Sequence, residues 1–174
     1  MTRDTDWDAI EGLMLMNHGV FTFHDDARTS YERMIKLVSE AEDFLAEREA
    51  LSVATADPAP PDLLTLADLR RVVSRKAGKP MLARLDRSPE AVGYAALPNL
   101  EEVAFQGPLT PDHIIRTKRI PVQVGEHVEA NLDAFAADYA AYFEAHATDD
   151  LTMLDPAPRW GVWPGQGVVS FGAT

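Results

Sequence analysis

Along this 174-residue chain, apolar positions fall into three stripes of helical spacing and two short apolar runs that fold back at turn signals. Tyr31, Met34, Ile35, Val38, Ala41 and Leu45 recur at steps of three and four, with Glu32, Arg33, Lys36, Glu40 and Asp43 on other faces. That pattern predicts an amphipathic helix of about twenty residues, capped by Asp25 or Asp26. Leu66, Leu69, Val73 and Ala77 predict a second helix, stopped by Gly78 and opened by a weak Thr65/Asp68 capping box. Leu132, Phe135, Ala136, Tyr139 and Phe143 predict a third. The runs at 13–16 and 20–23 flank Asn17-His18-Gly19 and predict a hairpin, since Asn and Gly tolerate the positive φ of a tight corner. A second hairpin is expected from 160–163, a Pro-Gly corner and 168–171. Shorter strands are expected at 80–85 and 121–124, with short helices opening at Ser88-Pro89, near Pro98 and at Thr110-Pro111. Three prolines at Pro58, Pro60 and Pro61 mark a linker. The expected architecture is α/β: short, mostly antiparallel strands layered with helices. It divides into a part at 1–52, a linker at 53–61 and a second part at 62–174.

The second hairpin echoes the first. His18-Gly19-Val20-Phe21-Thr22-Phe23 aligns with Gln166-Gly167-Val168-Val169-Ser170-Phe171, which points to one supersecondary unit used twice. In the second copy the sequence ends where the following helix would begin. Because Gln stands where His stands in the first copy, the corner does not need imidazole for its shape. His18 is therefore free for chemistry, and neutral imidazole is the commonest metal ligand among side chains.

Composition narrows the partners. A formal charge of −12 disfavours nucleic acid and anionic membranes, which would be repelled. Cysteine is absent, which removes disulfides, thiolate nucleophiles and Cys-based zinc sites and is compatible with the expected cytoplasmic location. No apolar run is long enough to span a bilayer. Arg70, Arg71, Arg75, Lys76 and Lys79 cluster at the second helix and read as a solvated face complementing its dipole. Arg116, Lys118 and Arg119 form a second basic group, a candidate contact for a phosphate or carboxylate.

The segment EGLMLMNHGVFTF with HDDARTSYERMIKLVSEAEDFL resembles the C-terminal part of the class II aldolase family, the fuculose- and rhamnulose-phosphate aldolase type. Together with SPEAVGYAAL, GPLTPDHIIRTKRIP and LTMLDPAPRWGVWPGQGVVSFG, it is similar to the aldolase half of proteins that join such an aldolase to a short-chain dehydrogenase. The resemblance implies that His18 is one of three zinc ligands. The metal then acts as a Lewis acid in C–C bond cleavage of a sugar or sugar phosphate. The sequence departs from the family in having no His-x-His pair, and in carrying His24 where a small residue is usual. His113, His127 and His146 show no ligand spacing. The resemblance thus implies a fragment whose zinc or other divalent metal is completed elsewhere, with NAD confined to an absent dehydrogenase part. A non-catalytic scaffold or oligomerisation module, and a sugar-phosphate-binding protein, are the alternatives. Missing strands would leave apolar surface exposed, so a homo-oligomer or poor solubility is expected.

Overall fold

The computed structural model describes residues 4–16, 18–50 and 52–173, and the chain divides into two compact units. The first holds residues 1–52 with 109–111; the second holds 53–108 and 112–174.

The first unit begins with a single 3-10 turn, Trp7–Ala9, followed by strands β1 (Gly12–Leu15) and β2 (Gly19–Thr22) and helix α1 (Ala27–Glu47). The strands pair antiparallel, Gly12 with Thr22 through Leu15 with Gly19, about one residue N-terminal to the expected runs. Asp26 caps α1 by accepting from the Thr29 N–H at 2.8 Å, as the sequence predicts. Thr22 Oγ1 donates to the Ser30 carbonyl at 2.8 Å and Arg33 donates to that of Phe23 at 2.7 Å, tying β2 to the helix. Strand alternation turns Gly12, Met14, Val20 and Thr22 toward α1 and Leu13, Leu15 and Phe21 to the opposite face. Both faces are therefore apolar, yet none of the described residues of this unit is buried.

The second unit is a three-layer α/β structure. Its sheet runs β3 (Leu82–Asp86), β6 (Gly167–Gly172), β5 (Trp160–Trp163), β4 (Val122–Gln123), antiparallel except for the β4–β5 pair. On one face lie α2 (Leu63–Ala77) and α6 (Val128–His146). There Leu69, Val72, Val73, Leu132 and Phe135 close over Val122, Trp163, Val169 and Phe171. On the other face α3 (Pro89–Ala95) and α4 (Leu100–Ala104) cover Val162, Trp160 and Val168. The period-two alternation of β5 and β6 makes this possible, because successive residues enter opposite layers. Helix α5 (Pro111–Thr117) precedes β4.

Two local expectations are revised. The cap of α2 is Asp62, not Thr65: its carboxylate accepts from the Thr65 N–H at 2.9 Å and from Thr65 Oγ1 at 2.6 Å. Thr65 thus serves as the third residue of the helix rather than its opening one. Gly78 does end α2, in the left-handed conformation at φ 67°. The proline-rich stretch at 53–61 is fastened to the second unit. The Ala56 N–H donates to the Pro89 carbonyl at 3.0 Å and the Ala59 N–H to the Gly165 carbonyl at 2.9 Å. At Gly93 a Cβ would lie 1.8 Å from the Ala54 carbonyl oxygen, so only glycine lets the strap lie against α3. Prolines forbid helix and interior strand, but they do not forbid hydrogen bonding through their carbonyls.

Candidate functional site

His18 closes the three-residue corner between β1 and β2, and its N–H donates to the Leu15 carbonyl at 3.1 Å. Asn17, the other expected corner residue, lies outside the described residues. Gly19 follows at φ 146°, with open space where a Cβ would stand. The His18 imidazole is exposed and lies tilted against the Phe21 ring, centroids 5.6 Å apart. The imidazole thus stands exposed at the end of the strand pair, beside one aromatic ring.

The matching corner joins β5 to β6. Trp163 pairs with Gly167 as Leu15 pairs with Gly19, and the Gln166 N–H donates to the Trp163 carbonyl at 2.9 Å. The backbone frame of the echo is therefore shared down to register. The surroundings differ. Gly167 has φ 120°, and a Cβ there would fall 2.0 Å from the Asp86 carbonyl oxygen of neighbouring β3. Gln166 is 7% exposed and its Nε2 donates to the Pro60 carbonyl at 2.8 Å. Where the first corner offers an imidazole to solvent, the second is clasped by its own chain.

The basic residues at 116–119 do not converge. Arg116 is exposed on α5. Arg119 pairs with Asp138 at 2.7 Å and lies 5.1 Å from the Tyr142 ring centroid. Lys118 is 4% exposed, held in the left-handed region at φ 62°, with Nζ donating to the Asp155 carbonyl and lying 3.8 Å from the Tyr139 ring centroid. Burial, seconded by the nearby Arg159 guanidinium, brings its pKa down to about 8. Burial alone would push the neighbouring Asp155 carboxyl up. The bidentate hydrogen bonds from Arg159, at 2.6 and 2.8 Å, and its charge outweigh that and hold the carboxyl below its ordinary value. Sequence reasoning missed this cluster, because a buried cation is a tertiary property with no periodic signal.

The basic face of α2 is largely neutralised. Arg71 pairs with Asp68 on the same helix at 2.7 Å. Arg75 meets Glu129 at 2.5 Å and Lys76 meets Asp133 at 2.6 Å, both across to α6.

The other histidines are scattered. His24 lies beyond the opposite end of β2 from His18, and its Nδ1 accepts from the Asp26 N–H at 3.0 Å. It lines a cleft of about 420 Å³ with Trp7, Asp8, Phe23, Asp25 and Arg33. His113 is exposed on α5, His127 precedes α6, and the His146 ring lies 4.9 Å from that of Tyr142. Among the described residues no group of three or more His, Cys, Asp or Glu side chains is placed to hold a metal ion. A divalent-metal centre therefore does not fit a site made by these residues alone. The sequence reading counts no Gly-x-x-x-Gly-x-Gly spacing of a dehydrogenase nucleotide loop, and that is corrected here: it occurs at Gly161, Gly165 and Gly167. It spans β5, the corner and β6, two antiparallel strands, whereas a nucleotide loop opens from a strand into a helix. It is a hairpin signature here.

A family model described as aldolase class II, second domain, matches residues 61–174, which is the layered second unit from the end of its strap onward, together with residues 109–111 of the first unit. This chain belongs to the class II aldolase family. Over 182 aligned residues the chain is 24% identical to a protein of Bacillus subtilis (strain 168) named uncharacterized oxidoreductase YuxG. The alignment covers 93% of this chain and 26% of YuxG, so the chain spans about a quarter of that relative's length. No solved structure matches it. Among the described residues, no helix is long and apolar enough to cross a membrane.

Proposed function

We propose that this chain is part of a larger aldolase-containing protein, to whose divalent-metal site it contributes one ligand, His18. The substrate class is a sugar or sugar phosphate cleaved at a C–C bond, with the metal supplying Lewis-acid stabilisation when bound. The observation that carries the proposal is the first unit. It presents an imidazole at the corner of a hairpin whose two faces are both apolar, yet none of its described residues is buried. A sheet apolar on both sides is built to be covered on both sides. The limited share of YuxG that the chain spans, and the oxidoreductase in that relative's name, support an aldolase joined to a dehydrogenase, where NAD would belong. A sugar-phosphate substrate, an oligomer and a cytoplasmic setting accord with family membership.

Metal analysis tests this. The isolated chain is expected to carry well under one equivalent of zinc, unchanged by His18→Ala. Replacing the same histidine in a longer gene product should remove the metal. One equivalent bound tightly by the isolated chain, or full metal in the longer His18→Ala product, would sink the proposal.

A non-catalytic scaffold is the second reading. It is favoured by the second unit, which closes its own core and clasps Gln166 where the first copy has His18. Aldol cleavage by the longer product would exclude it. A sugar-phosphate site at Arg116, Lys118 and Arg119 draws little support, since Lys118 and Arg119 are engaged by Asp155, Tyr139 and Asp138.

A further inference from the structure

The four-stranded sheet of the second unit has two outer strands, and they are unequal. β4 offers two residues, whereas β3 offers five and pairs on one side only among the described residues. The Phe171 N–H donates to the Arg159 carbonyl, so residues 169 and 171 of β6 bond toward β5 and residues 168, 170 and 172 toward β3. Their register partners Asp86, Arg84 and Leu82 are thereby used within the sheet. Ala83 and Leu85 are left with N–H and C=O directed at the open side. Their side chains pack on the core beneath α2 and α6, which puts Leu82, Arg84 and Asp86 on the opposite face, where all three are exposed.

We propose that this edge takes the same edge of a second copy of the chain, antiparallel about a two-fold axis at Leu85, joining two four-stranded sheets into one. The residues select both partner and register. An axis at Arg84 or at Asp86 would set a charge against its own copy. An axis at Ala83 would face Arg84 with Leu82 and Asp86 with Pro80, leaving both charges unmatched. Centred on Leu85, the strands exchange both hydrogen bonds of a Leu85–Leu85 pair, and Arg84 of each copy stands opposite Asp86 of the other. Those flanking positions are of the non-hydrogen-bonded kind, in which facing side chains come closest. Charges on an outer strand ordinarily deter pairing. Here an arginine and an aspartate two residues apart match their own reversed image, which is what a two-fold contact requires. The inference lies wholly in the second unit and does not depend on the metal reading of His18.

The test uses the full 174-residue chain. Sedimentation should show a dimer that dissociates on dilution. Hydrogen exchange should show the Ala83 and Leu85 amides roughly tenfold slower in the dimer, with the Arg84 amide, already bonded to β6, changing less. Arg84→Asp and Asp86→Arg should each weaken the dimer roughly tenfold, since each puts like charges in both flanking pairs. An equimolar mixture of the two variants should recover the association, because every flanking pair is then again of opposite sign. A chain monomeric at all concentrations, a dimer whose Ala83 and Leu85 amides gain no protection, or a mixture no tighter than either variant alone would overturn the proposal. Asp86 also accepts from the Ser88 N–H, so if Asp86→Arg does not fold, the exchange pattern of the unaltered chain decides.

Discussion

At the corner between β1 and β2 an imidazole stands in solvent; at the matching corner between β5 and β6 an amide is gripped by the carbonyl of Pro60. The two hairpins share loop length, pairing register and the corner hydrogen bond. What separates them is enclosure. The second has a strand on the far side of β6 and a helical layer on each face, whereas the first has one helix and an open opposite face. The same local code thus builds an exposed hairpin in one place and a core element in the other. The residue at the corner is freed or tied by its neighbours rather than by the turn.

The largest expected break in this comparison is at the glycines. Gly167→Ala should destabilise the second unit by on the order of 4 kcal/mol, because the new methyl meets the Asp86 carbonyl and the backbone is left-handed. Gly19→Ala should cost only about 1 kcal/mol, from backbone strain alone. Urea denaturation of each variant reads the difference, and equal losses would mean the two corners are equally enclosed. Next, Leu132→Ala should cost about 3 kcal/mol because the side chain is fully buried, whereas Leu13→Ala in the open unit should cost less than about 1 kcal/mol.

The third effect is one of pH. Lys118 titrates near 8 when folded and in the ordinary lysine range when unfolded, so between those values the unfolded chain holds more protons. Stability should therefore rise as pH climbs from about 8 toward 10.5, and that rise should disappear in Lys118→Met. Thermal melts across this window check it; a fall in midpoint with pH that Lys118→Met abolishes would reverse the assignment. The smallest effect should come from the Lys76–Asp133 pair, whose carboxylate is mostly exposed. A double-mutant cycle is expected to give less than about 1 kcal/mol of coupling.

The helices and hairpins were legible in the sequence because each signal is local. Stripes at three and four residues, Asn or Gly at corners, and Ser88 before Pro89 all act within a few positions. The layered α/β architecture was expected from short strands set among helical stripes, but the parallel β4–β5 pair was not, since two residues of strand carry no register signal. The cap of α2 was misplaced because Thr65 with Asp68 mimics a capping box, although the Asp62 carboxylate directly after two prolines was the better signal. At the candidate site, the echo singled out positions 18 and 166. It could not tell that one is exposed and the other clasped, because enclosure depends on partners more than a hundred residues away in sequence. The surroundings of the cations at 116–119 were illegible for the same reason: proximity in sequence says nothing of which face each side chain meets.

The family match begins at residue 61, and a dissection of the gene guided by it would start there. Such a piece would lack the carbonyls that Gln166 and Arg87 grip, and would leave a bare furrow alongside Gly93. It would be short by one small peripheral strap and should aggregate or melt early for that reason alone. A cut ahead of Val53 keeps the belt with the body it fastens.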